Sequence, residues 1–146
     1  MSSTIDILLV EDNPDDLALV LRALRKHHWA ERVEVAHDGA EALDFLFCSG
    51  TYVHRHIEDR PKVILLDLKL PKVTGLEVLQ RLKSDPRTQP IPVVILTSSA
   101  QERDMVESYG LGVNSYIIKP LQLSELTEAV GQIARYWLGL NRPVPG

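Results

Sequence analysis

The chain has 146 residues, of which 45% are hydrophobic and 25% charged, and its formal net charge is -4. This balance suits one soluble domain with room for a sizeable core, and it gives no electrostatic support to general nucleic-acid binding. A lone Cys48 excludes an internal disulfide and a cysteine-rich zinc site, and no apolar stretch approaches the roughly 20 residues that span a bilayer. The opening MSSTIDILLV has no basic segment ahead of its apolar run, so the expectation is a cytoplasmic protein without a membrane partner. One domain is expected over 1–146, with a core at 5–138 and a flexible tail at 141–146.

Apolar runs and helix-periodic segments alternate along the chain. IDILLV (5–10) reads as the first strand. Asn13 then caps a helix over 14–28, where Pro14 suits the first position and Asp15 and Asp16 face the positive end of the helix dipole. VEVA (33–36) alternates, as an edge strand does, and Asp38 caps a helix over 40–47. Residues 48–61 form a long polar connection without periodicity, in which His54 and His56 read as solvated and Cys48 as a small core-edge residue. KVILL (62–66) and PVVIL (92–96) are the next strands, followed by helices over 74–84 and 100–109; the runs at 7–10, 63–66 and 93–96 are continuously apolar, as in central strands. SYII (115–118) is the opposite edge, and the last helix, 122–138, carries Leu123, Leu126, Val130, Ile133, Ala134 and Trp137 as a core stripe. Five βα units imply an α/β fold: a doubly wound, flavodoxin-like parallel sheet with strand order 2-1-3-4-5.

Sheets of this kind bind ligands at the carboxyl ends of their strands. The sequence puts Glu11 and Asp12 after the first strand, Asp67 after the third, Thr97 after the fourth and Lys119 after the fifth. Core packing asks for none of them. Unit charges roughly 4 Å apart repel by about 4 kcal/mol at an effective dielectric near 20. Carboxylates so clustered call for a divalent cation with hard oxygen ligands, Mg²⁺ being the natural choice beside a phosphate, and Lys119 adds a second positive charge. Asp67 alone would be a turn-former or a nucleophile. With its charge neutralised by such company, a carboxylate can attack phosphorus while Thr97 and Lys119 bind the transferred oxygens.

LLVEDNPDD at the first strand end, LLDLKLPKVTG around Asp67, VVILTSS at the fourth strand and SYIIKP at the fifth together resemble the CheY-like receiver domain of two-component response regulators, over residues 5–138. The resemblance implies that Asp67 accepts a phosphoryl group from a sensor histidine kinase. It implies Mg²⁺ ligated by Asp12, Asp67 and the backbone carbonyl of Lys69, with Glu11 contributing through water. Thr97 and Lys119 would contact the phosphate, Tyr116 would be the switch aromatic, and the Lys119–Pro120 bond would be cis. The chemistry implied is self-phosphorylation and autodephosphorylation within a signalling domain, not enzymatic turnover. The long 48–61 connection and the aromatic end of the last helix resemble stand-alone regulators paired with bacterial phytochrome-type kinases, especially the cyanobacterial kind.

Other readings are weaker. An aspartate-nucleophile phosphohydrolase of the haloacid-dehalogenase type would want an acid two positions after the nucleophile, where Lys69 stands, with a side chain that reads as solvated. A flavodoxin-like FMN carrier would want small and hydroxyl residues in its first loop, whereas Glu-Asp-Asn-Pro-Asp-Asp repels phosphate. A degenerate receiver used only for docking is disfavoured by the complete acidic set. Tyr136-Trp137-Leu138-Gly139-Leu140 extends the apolar character around the end of the last helix, so a homodimer through that helix and the fifth strand is expected.

Overall fold

The computed structural model describes residues 5–27 and 33–137, the last five of these by their backbone alone. Five strands and five helices alternate: β1 (Ile7–Val10), α1 (Pro14–Lys26), β2 (Val33–Ala36), α2 (Gly39–Phe47), β3 (Val63–Asp67), α3 (Gly75–Ser84), β4 (Val93–Thr97), α4 (Ala100–Ser108), β5 (Ser115–Ile118) and α5 (Leu123–Trp137). The strands form one parallel sheet in the expected order β2-β1-β3-β4-β5. β1, β3 and β4 are buried throughout, whereas β2 and β5, at the edges, are largely part-exposed.

Alternate strand residues feed two cores, one on each face of the sheet. Leu8, Val10, Ile64, Leu66, Val93 and Ile95 pack with Leu43 and Phe45 of α2 and with Val78 and Leu82 of α3. Ile7, Leu9, Val63, Leu65 and Val94 pack with Val20 and Leu24 of α1 and with Leu126 and Val130 of α5. Each fully buried aliphatic side chain contributes about 1.5–3 kcal/mol, so the three central strands dominate the stability.

Local chemistry sets the helix ends. The Asn13 side chain accepts from the amides of Asp15 and Asp16, and that of Asp38 from Glu41. α3 starts one residue later than its periodicity suggests, because Thr74 and Glu77 form a reciprocal capping box. α1 ends at Lys26, with His27 as its cap, short of the expected boundary. β3 and β4 each run one residue beyond their apolar runs, since ladder pairing continues through Asp67↔Leu96 and Thr97↔Ile118. That extension carries the two functional candidates into the sheet.

The connection after α2 is more ordered than its composition suggests. Cys48 caps α2 in the left-handed region (φ 59°), and Gly50–Tyr52 make a single 3₁₀ turn. The Arg55 guanidinium lies 3.7 Å from the Phe45 ring centroid and donates to the Phe45 carbonyl and, at 2.6 Å, to that of Asp59. The Tyr52 hydroxyl donates to Glu34 at 2.9 Å while its ring meets Phe45 edge-on. These anchors are tertiary, which is why no periodicity announces them.

Among the described residues no helix is long and apolar enough to cross a membrane. The expected apolar patch at 136–140 and the tail at 141–146 fall outside the described side chains and residues, as do the side chains of Ile133, Ala134 and Trp137 in the predicted stripe.

Candidate functional site

The carboxyl ends of β1, β3, β4 and β5 converge. Glu11 follows β1, tied to the sheet by its amide donating to the Ala36 carbonyl at 3.0 Å, and it is wholly buried. Asp67 ends β3, also buried, and the adjacent Asp12 is exposed. Each of these three residues offers a carboxylate oxygen, and the three oxygens lie within 4.8 Å of one another. Such an all-oxygen, acidic donor set fits a hard divalent cation.

Lys119 reaches into the same cluster from the end of β5. Its Nζ lies 3.1 Å from Glu11 Oε1, 3.1 Å from Asp67 Oδ2 and 2.8 Å from Asp16 Oδ2. Burial pulls the ammonium's pKa down, but the Asp16, Glu11 and Asp67 carboxylates outweigh it and hold it above the ordinary lysine value. Glu11 goes the other way. Burial first, then the neighbouring Asp67 carboxyl, push it up to about 7, against opposing contributions from Lys119 and the Asn13 amide. The following Lys119–Pro120 bond is cis, as the sequence resemblance implies.

The chain leaves Asp67 through a tight return. The Lys69 amide donates to Asp67 Oδ1 at 3.2 Å, and the Gly75 amide to the Leu68 carbonyl at 3.0 Å. A Cβ on Gly75 would sit 2.2 Å from the Asp67 carbonyl oxygen, so only glycine allows α3 to start this close to the site. The Lys69 side chain is exposed, with its Nζ 3.4 Å from Glu102 Oε2.

Thr97 ends β4, buried, and its hydroxyl is 2.7 Å from Glu102 Oε1 and 3.1 Å from the Ser99 carbonyl. The same Glu102 oxygen accepts from the Ser98 amide at 2.8 Å and the Ser98 hydroxyl at 3.0 Å. Desolvation raises the Glu102 pKa, but the bonds from the Ser98 amide, Thr97, Ser98 and Lys69 outweigh it and bring it to about 2. Tyr116 on β5 is half-buried beside a cavity of about 190 Å³ lined by Val106, Glu107, Leu111 and Val113.

Of the residues singled out in the sequence, Glu11, Asp12, Asp67 and Lys119 therefore share one cluster, with the Lys69 amide on its rim. Thr97 borders it with its hydroxyl engaged elsewhere. Sequence reasoning missed Asp16, taken for a helix-dipole acid and found on Lys119, and Glu102. The Ser99-x-x-Glu102 spacing is a capping-box signature that marks Glu102, and Ser99 does accept from the Glu102 amide. Nothing in that spacing points to Thr97.

The family model for the response regulator receiver domain matches residues 7–131. The probable methanogenesis regulatory protein FilR2 of Methanothrix harundinacea is 44% identical over 137 residues, 93% of this chain and 85% of that protein. The response regulator Rcp1 of Synechocystis is 42% identical over 132 residues, 90% and 88% of the two chains. Rcp1 has also been solved in a Mn²⁺-bound form, which matches 96% of this chain and 98% of its own with 40% identity and a TM-score of 0.77. The bacteriophytochrome response regulator RtBRR superposes with a TM-score of 0.82 at 49% identity, covering 99% of this chain and 86% of its own. The phosphorylated cyanobacterial phytochrome response regulator RcpA does so with 0.80 at 42% identity, covering 99% and 100%.

Proposed function

This chain belongs to the response regulator receiver domain family, and on that premise we propose that Asp67 accepts a phosphoryl group from a sensor histidine kinase. One observation carries the reading: the Asp67 carboxylate ends a central strand inside a cluster of two further carboxylates, with the Lys119 ammonium 3.1 Å from its Oδ2. An Asp67 oxygen forms the new P–O bond as the P–N bond to the kinase histidine breaks, and the imidazole leaves with the electron pair. Lys119, already among carboxylates, then faces the transferred oxygens, and the Thr97 hydroxyl completes their binding. Asp12, Asp67 and the Lys69 carbonyl would hold a divalent cation, with Glu11 contributing through water; bound there, it would supply the charge that lets an anionic nucleophile meet an anionic donor. Mg²⁺ is the expected ion. The output is a changed interaction surface, to which Thr97 and Tyr116 contribute as switch residues, with no catalytic turnover.

The names of RtBRR and RcpA support a kinase of the phytochrome type, and the lone Cys48 is in keeping with a cytoplasmic setting. Ile118, 47% exposed on edge strand β5, supports a homodimer built from that strand and α5. Light scattering at tens of micromolar protein should give a dimer mass; a monomer with and without phosphorylation ends that part of the reading.

Labelling with acetyl phosphate and Mg²⁺ tests the centre of the proposal. Wild type should take up about one phosphoryl group and Asp67→Asn none, by intact-mass spectrometry. Equal label on both, or none on wild type, overturns it.

A further inference from the structure

Two groups expected to bind the phosphoryl oxygens are engaged before it arrives, in different ways. Lys119 sits within the acidic cluster itself. Thr97, by contrast, points its hydroxyl at a carboxylate outside the cluster, Glu102 Oε1, at 2.7 Å. A hydroxyl has a single hydrogen to give. While Glu102 or the Ser99 carbonyl takes it, Thr97 has none for a phosphoryl oxygen.

Glu102 is well placed to hold this arrangement. It stands in the first turn of α4, facing back over the loop after β4. Its Oε1 gathers the Thr97 hydroxyl, the Ser98 amide and the Ser98 hydroxyl, so the loop is folded around that one oxygen. Its Oε2 reaches the other loop beside Asp67, lying 3.4 Å from Lys69 Nζ. One side chain thus joins the loops on both flanks of the acceptor. Hydrogen bonds to an ionised acceptor are about twice as strong as neutral ones, so the hold on Thr97 is a real competitor.

We propose that Glu102 is a positioning residue that holds Thr97 in the unphosphorylated arrangement, so that phosphoryl binding at Asp67 must first break the Thr97–Glu102 hydrogen bond. The proposal rests on the Asp67 reading above. Breaking the bond also frees Ser98 and Lys69 to move, which links occupancy of the acceptor to the start of α4.

The bland alternative is that Glu102 only caps α4, and a double-mutant cycle separates the two. The probe is beryllofluoride, which mimics an aspartyl phosphate, titrated with Mg²⁺ and followed by tryptophan or NMR signals. Glu102→Ala should bind it roughly tenfold more tightly than wild type, with Glu102→Gln in between because an amide oxygen is a weaker, uncharged acceptor. In a Thr97→Val background the same Glu102 substitutions should leave affinity unchanged, because no hydroxyl is left to release. Unchanged or weaker binding by both Glu102 variants, or an equal gain with and without the Thr97 hydroxyl, overturns the proposal. Wild type that binds no beryllofluoride and takes no acetyl-phosphate label overturns the Asp67 reading itself, and this proposal with it.

Discussion

Glu11 and Glu102 are the same residue type in opposite circumstances, one directly after β1 and the other in the first turn of α4 after β4, on either side of β3. Glu11 is wholly buried, meets a second carboxyl at Asp67, and is pushed up to about 7. Glu102 is half-buried and collects an amide, two hydroxyls and an ammonium, which bring it to about 2. Depth and donors together decide the ionisation of a sequestered carboxylate: burial is the largest push on Glu11, whereas at Glu102 the donors outweigh desolvation. The first region is an acidic pocket short of positive charge. The second is a carboxylate amply served with donors.

The largest way to sharpen this contrast is to remove the cation that Glu11, Asp16 and Asp67 share. Lys119→Ala leaves Glu11, Asp16 and Asp67 without their shared ammonium. Urea denaturation in EDTA should show a loss of about 3 kcal/mol, part of which Mg²⁺ restores. An unchanged midpoint would mean that the carboxylates are neutral without Lys119.

Glu11→Gln should act in the opposite sense. In metal-free protein at pH 8 it should stabilise by about 1–2 kcal/mol, since it removes a buried charge beside another acid. The pH dependence follows the same sign. The Glu11 pKa is about 7 folded against 4.5 for an exposed glutamate, so between those values the folded state keeps a proton the unfolded chain has lost. Its contribution to stability therefore falls as pH rises from about 4.5 to about 7. Wild type minus Glu11→Gln, measured by urea titration across that window without divalent cations, should isolate this slope.

Glu102 should give the smallest effect and the reverse slope. Its folded pKa of about 2 lies below the ordinary 4.5, so its contribution is complete above 4.5 and is lost as pH falls towards about 2. Glu102→Gln should cost about 1 kcal/mol at pH 7, because the hydrogen bonds survive to a neutral oxygen at reduced strength. A cost that does not shrink on acidification would mean that its charge is not what binds the loop.

Much of this molecule could be read without coordinates. The continuous apolar runs of β1, β3 and β4 and the alternation of β2 are local patterns, and they mark central and edge strands because central strands have two faces to cover. Glu11, Asp12, Asp67, Thr97 and Lys119 were legible as one constellation, since parallel strands bring their carboxyl ends to one edge and no packing need explains such residues there.

The tertiary structure decided the rest. Asp16 and Glu102 both stand in the first turn of a helix, where the dipole, and for Glu102 the cap, already account for an acid, so nothing local points to their roles at the site. Their working partners stand on other elements: the sheet brings Lys119 of the β5 end to Asp16, and the turn from β4 into α4 folds Glu102 back onto Thr97. The anchoring of Arg55 on Phe45 is of the same kind. Backbone periodicity and burial are written along the chain, whereas a hydrogen bond depends on a few tenths of an ångström between side chains that meet only after folding.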